Sequence, residues 1–339
     1  MVFDRFGGAD VLRLADVPAP DMRPGDLLVR ILAAGVNRAD LLQREGYYGT
    51  QSFGESDLLG LELAGEVVAV GNSVTDIRPG ERVMAIVGGG AYAEYARVDR
   101  GMAVRIPEHL GTVEAGAVME SFVTAWETVV HLGGTAAGDK ILVHAAAGGV
   151  GSAAVEIVHA LGATVFATAA AARHADVQTL GADIVFDYRS EDFEAGVLGA
   201  TGGKGVDVVI DFVGGGYLAR NLRSLAPGGR LVQVGLLGGE DDATITLGLV
   251  LHNHLRLIGT VMKSRSVDEK RAMIRRFADG ALPMFADGRL TPVVGKTFPL
   301  ADAALAHRCI LWFRLRGLAT KKPYRRSTMT THFRGCARQ

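Results

Sequence analysis

Residues 139–151 read DKILVHAAAGGVG, an apolar run that ends in a glycine-rich turn and opens into a stretch of small residues. Ile141, Leu142 and Val143 read as a buried strand. Gly148 and Gly149 permit a tight turn with close backbone approach, and residues 150–161 read as a helix beginning at Val150. Gly151, Ala153 and Ala154 let that helix lie close on the sheet. A strand, a glycine turn and a helix N-terminus in this order hold a dinucleotide pyrophosphate, because unpaired backbone N–H groups point at the anion. The turn is a variant of G-x-G-x-x-G with Ala146 in the first glycine position, so the pattern alone is weak. Its context, with a further β-like run at 164–168, makes it specific.

From about Gly138 the chain alternates strand and helix: ILVHA, VGSAAVEIVHAL, TVFAT, a helix at 173–180, DIVFD, VDVVIDFV and GRLVQVG. That pattern predicts an α/β domain with a doubly wound parallel sheet, ending near 259. Residues 1–118 differ. Short β-like runs at 27–32, 66–70, 82–86 and 92–97 are set off by turns at Pro24-Gly25 and Pro79-Gly80, which predicts a compact, mostly β domain. Residues 119–259 then form the cofactor domain, 260–308 return to the first domain through an amphipathic helix at 266–278, and 309–339 form a basic tail.

Composition narrows the function. A chain of 339 residues, 48% hydrophobic and 22% charged, can bury two cores. A formal net charge of −1 leaves no footprint for nucleic acid or an anionic membrane. No segment reads as a membrane span or a secretory leader. Two cysteines, Cys309 and Cys336, build neither a disulfide framework nor a four-thiolate zinc lobe. The expected compartment is the reducing cytoplasm.

The runs AAGVNRADLLQREGYYG (33–49), GLELAGEV (60–67), AAAGGVG (145–151), LGADIVFDYRSEDF (180–193) and GRLVQVGLLGG (229–239) resemble the zinc-independent, zeta-crystallin-like quinone oxidoreductases of the medium-chain dehydrogenase/reductase superfamily. The resemblance spans residues 2 to 308 in order. It implies a GroES-like, mostly β catalytic domain, a Rossmann domain, an active site in the cleft between them, and a homodimer. Zinc-dependent relatives carry ligands where this chain has Asn37, Leu61 and Glu120. An amide, an alkyl group and a lone carboxylate do not make a three-ligand open site, so the resemblance implies chemistry without a metal. That disfavours alcohol oxidation and suits reduction of a quinone or an α,β-unsaturated carbonyl.

The expected cofactor is NADPH. An enzyme selective for NAD places an acid at the end of the second sheet strand to accept from the ribose 2′-hydroxyl. Here Ala169 stands there, with Thr168 and Arg173 as candidate partners of a 2′-phosphate. Arg173 could equally be a solvated helix charge. The resemblance places Tyr188 on the adenosine side, though it also reads as a half-buried strand tyrosine, and Thr124 near the nicotinamide ribose. Val213-Gly214 and Gly235-Leu236 follow later strands on the carboxyl edge, where the nicotinamide half would lie.

Asn37 and Tyr48 are the catalytic candidates at the reacting end. The Asn37 amide can donate to a carbonyl oxygen or to the nicotinamide ribose, or simply cap a helix at 39–44. The Tyr48 phenol can stack on the acceptor and donate to the developing oxyanion, and Tyr47 is its rival. Arg38 and Asp40 read as an ion pair or a cap. Glu120 reads either as a buried acid or as a helix-start carboxylate held by backbone N–H groups. The same residues also fit an NADPH-binding structural or sensor protein with little turnover. Residues 309–339 carry eight Lys/Arg and no acid. They resemble an unrelated or out-of-frame ending, with neither the Gly-Lys turn nor the alternating strand that the resemblance implies there; without a final strand the catalytic domain would lose some β pairing.

Overall fold

The structure, a computed structural model, describes residues 1–47, 56–239, 243–312 and 328–331. The chain divides into two compact units, one of residues 1–121, 267–288 and 292–339, the other of residues 122–266 and 289–291.

The first unit is a seven-stranded, mostly antiparallel sheet built from β1 (Asp26–Gly35), β2 (Glu62–Val70), β3 (Arg82–Ile86), β4 (Tyr95–Asp99) and β5 (Ala103–Arg105), with β12 (Lys296–Pro299) and β13 (Thr328–Thr331) from the end of the chain. Period-2 patterning places it: Leu27, Val29 and Ile31 of β1 point into the core while Arg30 is exposed. Leu41, Leu59, Leu63, Val67 and Ile77 complete that core. β1 is long enough to take two partners on one edge, with β4 along residues 26–30 and β13 along residues 33–35. β13 runs parallel to β1 and antiparallel to β12, so the tail, which shows no alternating strand in its sequence, does supply a strand to this sheet. The tail lacks an alternating apolar pattern, but Thr328–Thr331 is rich in β-branched residues, and backbone pairing to β1 and β12 does the rest.

The second unit is a six-stranded parallel sheet in the order β11 (Arg256–Gly259), β10 (Leu225–Gln233), β9 (Val206–Asp211), β6 (Lys140–Val143), β7 (Thr164–Ala169), β8 (Ile184–Asp187). Ile141, Leu142 and Val143 are all fully buried, as a parallel strand covered on both faces requires. The chain steps outward from β6 to β8, then returns to lay β9 on the other side of β6. That reversal of direction opens a crevice at the carboxyl ends of β6 and β9, the position where such sheets bind ligands. Among the described residues no helix is long and apolar enough to cross a membrane.

Candidate active site

In the second unit the glycine-rich turn leaves β6 through Ala145, which sits in the left-handed region at φ 49°. Gly148 precedes the helix Gly149–Ala160 with φ −83°, an ordinary value. The tight turn runs from Ala145 to Gly148, whose N–H donates to the Ala145 carbonyl at 2.9 Å, and its left-handed residue is Ala145 and not a glycine. The glycine the turn requires is Gly151, where a Cβ would lie 2.3 Å from the Ala145 carbonyl oxygen. No side chain caps this helix, so the first N–H groups, at Gly149 and Val150, face the turn without an intrahelical partner. They suit a phosphate.

At the end of β7 no carboxylate occurs between Ala169 and Arg173. The helix expected at 173–180 begins at His174, after a short 3-10 turn Ala171–Arg173. The Arg173 guanidinium pairs with Asp176 at 3.2 Å, neither solvated nor idle. Thr168 is corrected as a phosphate donor. It is 1% exposed, and its hydroxyl lies 3.0 Å from His144 Nδ1 and accepts the Ala145 N–H at 3.3 Å. The strand pleat turns this side chain into the protein. Tyr188, just past β8, is 45% exposed, with the Arg189 guanidinium 5.4 Å from its ring centre. It offers a face to a planar group.

The loops after β9 and β10 lie together. Leu237 N–H donates to the Phe212 carbonyl at 2.9 Å and Gly238 N–H to the Val213 carbonyl at 2.8 Å. Gly214 takes φ 68° and ψ −158°, which only glycine adopts readily, and a Cβ there would meet Leu236 at 2.6 Å. Val213, Gly214, Gly235 and Leu236 thus form one surface, with Leu236 exposed. Thr124 lies half-buried on the helix Met119–Trp126, and its carbonyl accepts the Thr128 hydroxyl.

In the first unit, Asn37 precedes the helix Arg38–Glu45 in extended conformation (φ −114°). Its backbone N–H donates to the Asp40 carboxylate at 2.7 Å, so Asp40 is a cap. Its side-chain amide donates to Glu62 Oε1 at 2.7 Å, and Glu62 Oε2 accepts the backbone N–H of Glu120 at 2.9 Å. Glu62 is fully buried at the start of β2. It reaches this place because Gly35 opposite has no side chain: a Cβ there would fall 2.0 Å from Glu62 Oε1.

Behind Asp40 runs a buried chain. Tyr92 donates its hydroxyl to Asp40 at 3.1 Å, His307 Nε2 lies 3.2 Å from that hydroxyl, and Arg44 donates to His307 Nδ1 at 3.0 Å. Since arginine only donates, His307 Nδ1 accepts and its Nε2 carries the proton. Burial, then the Arg44 charge, pulls the His307 imidazole down to about 3. Burial pushes the Asp40 carboxyl up to about 7, against the hydrogen bonds from Asn37 and Tyr92. Glu120 is pushed up to about 8, first by burial and then by the charges of Glu62 and Asp40, with Lys270 opposing. The backbone-held carboxylate expected at Glu120 is instead that of Glu62. At neutral pH the Glu120 carboxyl keeps its proton.

Residues 23–108 match the family model described as the alcohol dehydrogenase GroES-like domain, and residues 149–279 the one described as zinc-binding dehydrogenase. The human synaptic vesicle membrane protein VAT-1 homolog is 36% identical over 327 residues, covering 90% of this chain and 81% of its own. The chain belongs to the medium-chain dehydrogenase/reductase superfamily. Its fold matches the Escherichia coli quinone oxidoreductase solved with NADPH at a TM-score of 0.81, with 28% identity, over 97% of this chain and 98% of that one. It also shares 34% identity over 286 residues with a mycocerosic acid synthase-like polyketide synthase of Mycobacterium tuberculosis, covering 84% of this chain but 13% of the synthase. The chain thus spans about one eighth of the length of such relatives.

Within the superfamily's ligand positions, Leu61 is a buried alkyl group without a donor atom, and the Asn37 amide nitrogen is engaged as a donor to Glu62. This set does not fit zinc. Tyr48 lies outside the described residues. Its rival Tyr47 is 78% exposed. Glu62, Asp40 and Tyr92 were missed as a group by sequence reasoning. The available signal was a glutamate within the apolar run LELAGEVV, where a buried strand position demands a partner.

Proposed function

We propose that this chain is an NADPH-dependent reductase that delivers hydride to a quinone or an α,β-unsaturated carbonyl without a metal. The observation that carries the reading is the set Asn37, Glu62 and Glu120. Where metal-using relatives place ligands, this chain holds an oriented amide and a carboxyl that stays protonated at neutral pH. An acceptor that takes up hydride develops negative charge on oxygen, and N–H and O–H donors answer that charge. The nicotinamide, when bound, supplies the hydride.

The protein's part is binding and protonation. Gly149 and Val150 offer backbone N–H groups to the pyrophosphate beside the close turn at Gly148, Ala169 leaves room for a 2′-phosphate, and Arg173 exchanges Asp176 for it. Tyr188 stacks on the adenine side, while Thr124 and the Val213, Gly214, Gly235 and Leu236 surface receive the nicotinamide half. Asn37 orients the acceptor oxygen, Glu120 holds the proton, and Tyr48 stacks on the acceptor. The likeness to a quinone oxidoreductase solved with NADPH supports this reading. We also propose a homodimer: β11 is one of the two edge strands of the parallel sheet, and Leu247, Leu251 and Leu257 near it are exposed.

Loss of absorbance of NADPH on addition of a quinone and enone series tests the reading. Turnover with at least one acceptor, retained in a strong chelator, is expected. Tight NADPH binding with no turnover across the series would favour the alternative, a sensor or scaffold of the same superfamily.

A further inference from the structure

His144 follows β6 directly and is fully buried, yet the cofactor reading leaves it unused. It lies beneath the crevice between β6 and β9, and its hydrogen bonds have a direction. Asn221 Nδ2 donates to Asp211 Oδ2 at 2.9 Å, so Asn221 Oδ1 is the atom that faces His144 Nε2, at 2.7 Å. His144 Nε2 therefore carries the proton and Nδ1 a lone pair. The Thr168 hydroxyl, 3.0 Å away, donates to that lone pair and in turn accepts the Ala145 N–H.

At the other end, Asp211 accepts the N–H of Val213 at 2.6 Å and that of Gly214 at 3.2 Å. One uninterrupted chain thus joins Ala145, in the left-handed turn that leads to the phosphate helix, to Gly214, in its glycine-only conformation against Leu236. The rings of Phe193 and Tyr217 pack edge-on against the imidazole, with centroids 4.7 and 4.9 Å away, so it has no room to turn. Burial holds it neutral, against the pull of Asp211. Every polar atom in the chain is matched, which a buried network must be if it is to hold geometry and not merely tolerate it.

We propose that His144, Asn221 and Asp211 are positioning residues that set the Val213-Gly214 loop against the phosphate turn, so that the two halves of a dinucleotide are gripped in register. The role rests on the nicotinamide cofactor reading. Their effect falls on the half of the cofactor that reaches this loop, and the adenosine end at β7 and Tyr188 is spared.

Two measurements test it. The first is calorimetric titration of wild type and Asn221→Leu with NADPH and with adenosine 2′,5′-bisphosphate, which lacks the nicotinamide half. The variant should lose about 10- to 100-fold in NADPH affinity, as for a hydrogen bond to a charged group, and stay within about twofold for the bisphosphate. Equal loss of both, or loss of neither, overturns the proposal. If Asn221→Leu does not fold, Asn221→Ala, which breaks the chain at the same place, takes its place in this titration with the same expectation.

The second is nitrogen NMR of His144, which needs no cofactor. Wild type should show the proton on Nε2. Asp211→Asn should move it to Nδ1, because the new amide donates to Asn221, flips it, and reverses the chain. A wild-type proton on Nδ1, or a tautomer unmoved by Asp211→Asn, refutes the connection. A wild-type chain that binds neither ligand overturns the cofactor reading and the positioning role with it, while the tautomer result still reports whether the chain exists.

Discussion

Glu120→Gln isolates the proton that the site is proposed to hold. The Glu120 carboxyl sits at about 8 in the folded protein against an ordinary value of 4.5, with burial the main cause and the Glu62 and Asp40 charges next. A raised carboxyl binds its proton more tightly when folded. Its contribution to stability is complete below about pH 4 and is lost as pH rises through 8. Between pH 6 and 9 the unfolded chain gives up almost no further proton at this group, whereas the folded chain must release one. Each pH unit in which only the folded state is protonated removes about 1.4 kcal/mol, so this window should cost wild type roughly 2 to 3 kcal/mol. Glutamine preserves the shape and removes the titration. Urea unfolding of both proteins at pH 6, 7, 8 and 9 reads the difference in slope, and Asp40 titrates in both and largely cancels. The variant curve should be flatter by that amount whatever its absolute stability. Parallel curves would show that Glu120 is ionised at neutral pH, and the proton source in the proposed reduction would have to be sought elsewhere.

Further outcomes follow from other contacts. Gly151→Ala, whose Cβ would meet the Ala145 carbonyl at 2.3 Å, should lower stability by about 1 to 3 kcal/mol and weaken dinucleotide binding, whereas Gly148→Ala, at φ −83° with a Cβ pressed 3.2 Å from the same oxygen, should cost less in thermal unfolding. Arg173→Ala should weaken NADPH by about 1 to 3 kcal/mol and leave NADH nearly unchanged in a binding titration. Tyr48→Phe should lower quinone turnover on the order of 10- to 1000-fold with NADPH affinity within a few-fold, while the exposed Tyr47→Phe should be nearly silent in steady-state kinetics.

Much of this chain is legible without coordinates. Local pattern carries it: a continuous apolar run at 141–143 demands a strand covered on both faces, a turn of small residues demands a close helix, and alternation from 138 onward leaves few topologies. The absence of an acid at Ala169 is likewise a property of one position, readable once the second strand is located. Gly151 shows the limit of such reading. The pattern names several glycines, but which of them lacks room for a Cβ depends on where the Ala145 carbonyl points.

What only the tertiary structure decided involves partners far apart in sequence. Asn37 meets Glu62 because β1 and β2 pair in one register and Gly35 leaves a gap; shifted by one residue, the carboxylate would face the opposite side of the sheet. Thr168 looks like a ligand donor until the pleat turns its hydroxyl toward His144, and Arg44 finds His307 across 263 positions. A side chain's identity sets which bonds it can make, but burial and register choose among them, because a polar group shut away from water must take the partner that the fold brings to it.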